Sequence, residues 1–257
     1  MVQNSRIVFV DPHRWRASSL FNGNAFPRGV RADVNASGLR FAQVLFHTDN
    51  LFTALDNDIA VFRNLIEERR SDIETGAASR PDLCIDIIYE GMAYLSEMQN
   101  TLNALKSFLD IYAKVIGSLQ QPMFRGSFSK ARVDGKKISG GRLVNALRNS
   151  RQNTAANELA SLISVHSSRW ITLAVGYRDQ LSHRSNLDDM RPLSLAVSQS
   201  SPHLDATQIL SPAMPNGQDI LQYFRELRDN LITFVVESMK LLPGIDKNLI
   251  STEVFRA

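Results

Sequence analysis

Apolar residues recur every three or four positions along most of this chain, which is the spacing of one face of an α-helix. Asn216 or Asp219 is suited to cap the last helix, and Pro243 and Gly244 to end it. The spacing therefore predicts an all-α fold, a bundle of about four long helices. These cover residues 37–70 with a kink near Asp49, residues 83–119, a segment that starts between 141 and 157 and reaches 181, and residues 219–242.

Three stretches interrupt the helical pattern. Residues 1–37 contain several prolines and glycines and are predicted to be an irregular N-terminal arm, in which the run RIVFV suits a strand. Residues 74–82 contain a glycine and a proline and are predicted to be a linker. Residues 184–216 alternate between apolar and polar positions around four prolines, which predicts a small extended or hairpin insertion. We expect the arm to be followed by one helical domain, residues 38–257.

The composition is that of a globular protein with its own core: 257 residues, of which 44% are apolar and 21% charged. The single cysteine, Cys84, excludes an internal disulfide and a multi-cysteine zinc site, and its apolar neighbours indicate a core position in a reducing cytoplasm. No signal peptide is evident, and no uncharged apolar run approaches the roughly 20 residues of a membrane-spanning helix. We expect a soluble, cytoplasmic protein with no cofactor, no metal and no membrane partner.

Positive charge is concentrated in one segment, residues 122–151, although the net charge of the chain is only +3. Eight cations face one acid, Asp134, which gives this basic connector a local charge of +7. Four glycines predict that it is flexible, and two interpretations stay open: a solvated link between helices, or a surface that binds a polyanion such as RNA. The cations are Arg125, Lys130, Arg132, Lys136, Lys137, Arg142, Arg148 and Arg151.

The stretch GYRDQLSHRSN, residues 176–186, places an arginine, an aspartate and a histidine where a long apolar stripe ends. In an unbroken helix, a five-residue offset rotates His183 about 140° away from Arg178. We therefore expect the helix to end at Leu181 or Ser182, so that the imidazole can fold back towards the guanidinium. The competing interpretation is structural: Arg178 and Asp179 pair with neighbours, and His183 complements the dipole at the helix C-terminus.

The residues YRDQLSH resemble the signature of the HEPN superfamily (higher eukaryotes and prokaryotes nucleotide-binding), an arginine and a polar residue followed by a histidine near a helix end. The all-helical setting resembles the family as well. The resemblance implies a HEPN-like helical bundle that acts as a metal-independent endoribonuclease, often a toxin or antiphage effector. It also implies a homodimer that forms the active site across its interface, and leaves room for an antitoxin or regulatory protein as a partner.

Site residues follow from this resemblance. His183 would be the general acid or base, Arg178 would hold phosphate oxygens, and Asp179 would orient one of them. Arg184 lies outside the signature and would add charge, while Arg125, Lys130, Arg132, Lys136, Lys137 and Arg142 would grip RNA. Some family members are modified on a tyrosine shortly after the histidine, but this chain has HRSN there. The alternative keeps the bundle without catalysis, as a protein- or nucleotide-binding or dimerisation module.

Other catalytic patterns are absent from the sequence, which has no Gly-rich phosphate loop, no His-Glu-x-x-His and no Gly-x-Ser-x-Gly. The five histidines are scattered along the chain. His166 lies on the apolar face of a predicted helix, where a hydrogen-bonded core residue is expected more often than a ligand. These observations leave residues 176–186 as the main candidate for chemistry.

Overall fold

The computed structural model describes residues 11–79, 85–120, 126–149, 153–184, 187, 189–197 and 209–251, without the side chains of residues 77, 78, 85, 86, 183, 184, 196 and 197. Most of these residues are helical, so the predicted all-α class and helical bundle are confirmed. The helices are α1 (Pro12–Leu20), α2 (Arg31–Glu68), α3 (Arg70–Ala78), α4 (Met92–Gln120), α5 (Gly141–Arg148), α6 (Thr154–His166), α7 (Thr172–Arg184) and α8 (Ile220–Leu241). The strands are β1 (Ile85–Tyr89), β2 (Ala131–Val133), β3 (Lys136–Ile138) and β4 (Leu193–Val197).

The chain divides into two compact units. The first unit contains residues 1–46, 102–175 and 229–257, and the second contains residues 47–101 and 176–228. The helices α2, α4 and α8 each contribute residues to both units. A π-helical turn, Ser167–Ile171, joins α6 to α7, so that the helical segment predicted to reach residue 181 is continuous from residue 154 to residue 184.

The N-terminal arm is more helical than its sequence suggested. The Asp11 carboxylate caps α1 by accepting hydrogen bonds from the backbone N–H groups of His13 at 2.9 Å and Arg14 at 3.1 Å. Pro12 occupies the first helical position, where its missing N–H costs nothing. The prediction of an irregular arm was wrong in its described part, because Asp-Pro begins a helix here and α2 already starts at Arg31. The predicted strand RIVFV lies outside the described residues.

Aromatic side chains from separate helices form the core of the first unit. Phe21, which follows α1, lies 5.8 Å from Phe108 of α4, measured between ring centroids, and 5.5 Å from Phe41 of α2. Phe108 stacks on Tyr112 at 5.2 Å, and Tyr112 meets Phe234 of α8 edge-on at 6.1 Å. All five rings are buried. Pairs of this kind contribute about 0.5–1.5 kcal/mol each beyond the burial of their area.

In the second unit, α2 packs against a small antiparallel sheet. Phe62 and Ile66 of α2 are buried against Leu193 and Leu195 of β4, and β4 pairs with β1 in a register that sets Ile87 opposite Leu195. The sequence prediction of one helix over 83–119 was therefore wrong at its start, since residues 85–89 form a strand and α4 begins at Met92. The run IDIIY is rich in β-branched residues, which favours a strand once a partner strand is present.

Two further stretches differ in part from the expectation. The predicted linker 74–82 is helical as far as residue 78, where α3 ends. Within the predicted insertion 184–216, β4 and isolated bridges from Arg191 to Ala213 and from Ser194 to Leu210 are extended, whereas Arg184 is the last residue of α7. Cys84 lies outside the described residues.

The basic connector contains ordered structure. Strands β2 and β3 form a hairpin that pairs Ala131 with Ile138, and its turn is made by Asp134 and Gly135, both with positive φ, at 49° and 81°. Two successive residues of this conformation make the turn that matches the twist of a two-residue hairpin. Gly140, at φ 75°, then starts α5. The prediction of a flexible connector was wrong here, because these glycines adopt definite conformations that other residues rarely take.

The last helix agrees with its sequence signals. The Asp219 carboxylate accepts a hydrogen bond from the Gln222 backbone N–H at 3.0 Å, which caps the start of α8. The predicted apolar stripe, including Phe224 and Leu231, is buried. The helix ends at Leu241 and is followed by Gly244 with a φ of 67°. None of the helices in the described part of the chain is long and apolar enough to cross a membrane.

Candidate functional site

Helix α7 carries the positions of Arg178, Asp179, His183 and Arg184 in one unbroken run. The prediction that the helix ends at Leu181 or Ser182 was wrong: no glycine or proline follows Gly176 within α7, and the Ser182 hydroxyl donates to the Arg178 carbonyl oxygen at 3.0 Å. The backbone positions of Arg178 and His183 are therefore about 140° apart around the helix axis. Within one chain the two residues do not share a helix face. The side chains of His183 and Arg184 lie outside the described structure.

Tyr177 and Leu181 anchor this part of α7 in the second unit. Both are buried, and the Tyr177 ring packs edge-on against Tyr223 of α8 with 5.7 Å between centroids. Burial raises the pKa of Tyr177 above its ordinary value, opposed by a backbone hydrogen bond with Asn216. The anchored face fixes the rotation of the helix. It was predicted correctly from the apolar stripe.

Arg178 and Asp179 lie beside that anchored face and are half-buried. Their side chains are 35% and 37% exposed, and Arg178 Nη1 lies 3.4 Å from Asp179 Oδ1. This separation is longer than the usual 2.7–2.9 Å of a charge-assisted hydrogen bond, and ion pairs that are this exposed contribute little to stability. The exposed parts of both side chains are nevertheless accessible to solvent.

A cavity of about 390 Å³ lies in the second unit next to the end of this stretch. Leu181 of α7, Tyr94 and Met98 of α4, and Met190 and Pro192 from the extended segment contribute to its wall. Burial, together with the negative charge of Asp58, raises the pKa of Tyr94 to about 12, so its hydroxyl stays neutral. Glu90 is the one charged residue among the described lining residues. A cavity of this size and character suits a small uncharged or cationic molecule, and does not suit a phosphate.

The cationic residues of the basic connector are mostly exposed. Lys130, Arg132, Lys136, Lys137 and Arg142, which the resemblance assigns to RNA binding, are exposed. Arg132 and Lys137 are direct cross-strand partners in the hairpin, an arrangement in which like charges repel. The predicted contact Arg125, like Arg151, lies outside the described residues.

Arg148 behaves differently from these neighbours. Its guanidinium grips the Asp134 carboxylate with two hydrogen bonds, of 2.9 and 3.0 Å. These bonds lower the pKa of Asp134 below its ordinary value. The single acid of the segment is thus engaged with one cation, and the hairpin keeps its positive charge.

His166 is a buried, hydrogen-bonded core residue, as its position on the apolar stripe suggested. The Trp170 indole donates to His166 Nδ1 at 2.9 Å, so a neutral ring carries its proton on Nε2, which lies 3.4 Å from Glu237 Oε2. Burial lowers the pKa of His166, while Glu237 opposes the shift and nearby Arg169 adds to it. We expect the ring to be neutral and structural at pH 7.

Two polar pairs in the second unit had no signal in the sequence. His47 Nδ1 of α2 lies 2.7 Å from Glu97 Oε2 of α4, and both side chains are about three-quarters buried, at 23% and 24% exposed. Arg228 Nη1 of α8 lies 3.3 Å from Asp49 Oδ1 of α2. Nearby, the Arg225 guanidinium of α8 lies over the ring of Phe52 of α2. The partners are far apart in the sequence, and each polar residue occurs on an otherwise ordinary helical surface. Only the packing of the helices brings them together.

The described residues contain no cluster of three or more His, Cys, Asp or Glu side chains that could hold a metal ion. Comparisons of the chain with protein-family models, with curated proteins and with solved structures gave no match. The candidate site is therefore defined by geometry and by the sequence motif alone.

Proposed function

We propose that this chain is a metal-independent endoribonuclease of the HEPN type that acts on RNA as a homodimer. The observation that supports this proposal is the setting of the motif on α7. Arg178 and Asp179 lie at a half-exposed position beside the buried Tyr177 and Leu181, on the same helix as His183. A rigid helix that presents charged groups at its solvent-facing edge is a suitable support for phosphate chemistry.

The chemistry needs few groups. The RNA 2′-hydroxyl attacks the adjacent phosphate while a base removes its proton, an acid protonates the departing 5′-oxygen, and positive charge stabilises the phosphorane. An imidazole serves as the base or the acid because its ordinary pKa of about 6.5 lies close to working pH. In this proposal His183 transfers a proton, Arg178 binds the non-bridging phosphate oxygens, and Asp179 orients Arg178. Arg184 adds charge beside them.

The angular separation within α7 supports a site shared by two chains. A single protomer provides one motif histidine, and its position is about 140° from that of Arg178 on the same helix. A two-fold axis next to α7 would bring a second His183 and a second Arg178 to the same phosphate, since a two-fold interface presents the same residues from both sides. The two histidines then serve as acid and base. Within this proposal the activity is that of a toxin or antiphage effector, restrained by an antitoxin or other regulatory protein.

The test is cleavage of a mixed RNA, such as total tRNA, by the purified chain in excess chelator. We expect the wild type to leave 2′,3′-cyclic phosphate ends, and His183→Ala to lose at least about a hundredfold in rate, the lower range for general acid–base catalysis. Ser182→Ala is the matched control, because Ser182 is an exposed neighbour that transfers no proton. Intact RNA with all three proteins, or equal cleavage by wild type and His183→Ala, would contradict the proposal.

A second candidate function is RNA binding without cleavage. The observation in its favour is the exposed hairpin, where Arg132 and Lys137 repel each other across the two strands until an anion binds between them. In this case RNA binds and stays intact, His183→Ala binds as the wild type does, and Arg132→Gln with Lys137→Gln weakens binding. The fragment assay and a binding assay on the same variants separate the two functions.

A further inference from the structure

An open groove of about 540 Å³ runs along the β2–β3 hairpin in the first unit. Val133, Asp134, Lys136 and Ile138 of the hairpin line it, together with residues of α6 and of the π-helical turn. The helical residues on its wall are Ser164, Val165, Ser168 and Arg169. The groove therefore has a cationic side chain on each wall, and Val165 is the exposed apolar residue of its described lining, whereas Val133 and Ile138 are buried.

Two cations are available in the groove. Lys136 on the hairpin and Arg169 on the helix are both exposed, and neither forms an ion pair with any residue in the described part of the chain. Asp134, the one acid among the described lining residues, is held by the bidentate contact with Arg148 described above. The electrostatic field in the groove is consequently positive, which favours an anion.

The π-helical turn determines which residues face the groove. The Thr172 N–H donates to the Ser167 carbonyl five residues earlier, and Ser167, Trp170 and Ile171 are buried, which leaves Ser168 and Arg169 exposed. Single π-turns within long helices often occur at functional sites. Here the turn places the hydroxyl of Ser168 and the guanidinium of Arg169 at the edge of the groove.

Both walls are held together by contacts that do not involve the lining cations. The Ser139 backbone N–H, directly after β3, donates to Thr172 Oγ1 at the start of α7 at 3.0 Å. The buried Trp170 indole is fixed by its hydrogen bond to His166. The Phe128 ring packs under the end of the hairpin, where it lies within 2.5 Å of the place that a side chain at Gly140 would occupy. The groove is thus a preformed feature of the hairpin and the helix.

We propose that this groove binds the phosphate group of a nucleotide. Lys136 and Arg169 bind the phosphate oxygens from opposite walls, and the Ser164 and Ser168 hydroxyls donate to the same oxygens. The exposed apolar side chain of Val165 contacts the base or the sugar. The nucleotide is either free or part of an RNA chain, since both present the same phosphate. None of its residues belongs to the motif on α7, so binding here is tested apart from cleavage, although Lys136 is also one of the cations expected to grip RNA.

The test uses two probes: AMP, followed by calorimetry, and a fluorescein-labelled 2′-O-methyl oligouridylate, followed by anisotropy. The methylated probe has no 2′-hydroxyl to attack, so its binding is measured whether or not the chain is a ribonuclease. The variant is Lys136→Gln with Arg169→Gln, and Lys114→Gln is the control, since Lys114 is an exposed cation on α4 that does not line the groove. Adenosine, which lacks the phosphate, is the ligand control.

Binding of AMP that falls roughly tenfold or more in the double variant but not in Lys114→Gln supports a site for a free nucleotide. Binding of the oligonucleotide alone, with the same dependence on the variants, supports a site for phosphates within RNA. In that case the slope of log affinity against log salt falls by about 1.4, from two contacts of about 0.7 each. Failure of the wild type to bind either probe, or unchanged binding by a folded double variant, overturns the proposal.

Discussion

Neighbouring charged residues of the same type have different roles in this protein. Arg148 and Lys136 belong to the same basic segment, yet Arg148 is gripped by Asp134 while Lys136 borders an open groove. Asp134 itself serves twice, since it also forms the hairpin turn with a φ of 49°. The number of charges in a segment therefore overstates the number that are available to a ligand.

Histidine shows the same dependence on surroundings. His166 is enclosed by Trp170, Phe234 and Glu237, which satisfy both ring nitrogens and hold the ring against the core. Protonation would turn Nδ1 into a donor facing the Trp170 N–H, which is also a donor. The neutral ring is thus favoured both by burial and by its hydrogen bond.

This arrangement predicts a pH dependence of stability that belongs to His166. Its pKa is lowered in the folded state, so below about pH 6.5 the unfolded chain binds more protons, and stability falls as the pH falls. The contribution is constant above that pH and its slope is limited to about 1.4 kcal/mol per pH unit. Denaturant unfolding of wild type and His166→Gln between pH 5 and about 7.5 measures it.

The expected result is a shallower loss of stability in His166→Gln on acidification, since glutamine does not titrate. Titratable groups that do not contact His166 are common to both proteins and cancel in the comparison. Identical pH dependence in the two proteins would show that His166 is not held neutral.

Among the single elements, the β2–β3 hairpin and the start of α5 contain two glycines with a left-handed backbone and different surroundings. Gly135 and Gly140 have φ values of 81° and 75°. A Cβ at Gly135 would meet nothing within 4 Å, whereas one at Gly140 would lie 2.5 Å from the buried Phe128 ring. The two glycines thus separate the cost of a left-handed backbone from the cost of a close contact.

We predict that Gly135→Ala lowers the free energy of unfolding by about 1–2 kcal/mol, the cost of the left-handed conformation. Gly140→Ala should cost that amount and about 1–3 kcal/mol more, because the Phe128 ring must move within a packed core. Chemical denaturation of both variants gives the difference. Equal losses in the two variants would mean that the Phe128 ring moves aside at little cost.

Helix α7 is continuous through the motif as far as Arg184. The motif was expected to coincide with a helix end, but the anchored pair Tyr177 and Leu181 keeps the helix intact as far as Arg184. Nothing in the local sequence stops it, since Ser182 satisfies its hydroxyl within the helix. Arg178 and His183 of one chain therefore lie on different faces of the helix.

At the scale of the whole molecule, the proposed dimer makes a prediction that a single-chain site does not. In a shared site, Arg178→Ala and His183→Ala remove different groups, so a mixed dimer of the two variants keeps one arginine and one histidine, from different chains, at the shared phosphate. We predict that each homodimer is inactive and that the mixed dimer, purified through two different tags, recovers part of the cleavage. Light scattering of the wild type establishes beforehand that a dimer forms.

The matched control is a dimer in which both chains carry His183→Ala and each chain has one of the two tags. This dimer should remain inactive. A mixed dimer of Arg178→Ala and His183→Ala that is as inactive as this control, beside an active mixed dimer of wild type with the double variant, would place each site within one protomer. A monomeric wild type with full activity would lead to the same conclusion.

The helical class, the long amphipathic segments and the buried faces of α7 and α8 could be predicted from the amino-acid sequence. Those features follow from a periodic pattern that is repeated over many residues, so local errors do not accumulate. The sequence also indicated a core position for His166 and offered Asp219 as one of two caps, and the Trp170 bond and the cap involve residues a few positions away, whereas Glu237 comes from α8.

Features that depend on residues far apart in the sequence are visible only in the folded chain. The strand β1 exists because β4 pairs with it about a hundred residues later, and the helix α1 is retained because Leu20 and Phe21 are buried in the first unit. The groove joins Lys136 to Arg169, and the pair His47 and Glu97 joins two helices. Local spacing carries no information on these contacts, since their energy comes from packing between segments that the chain itself leaves far apart.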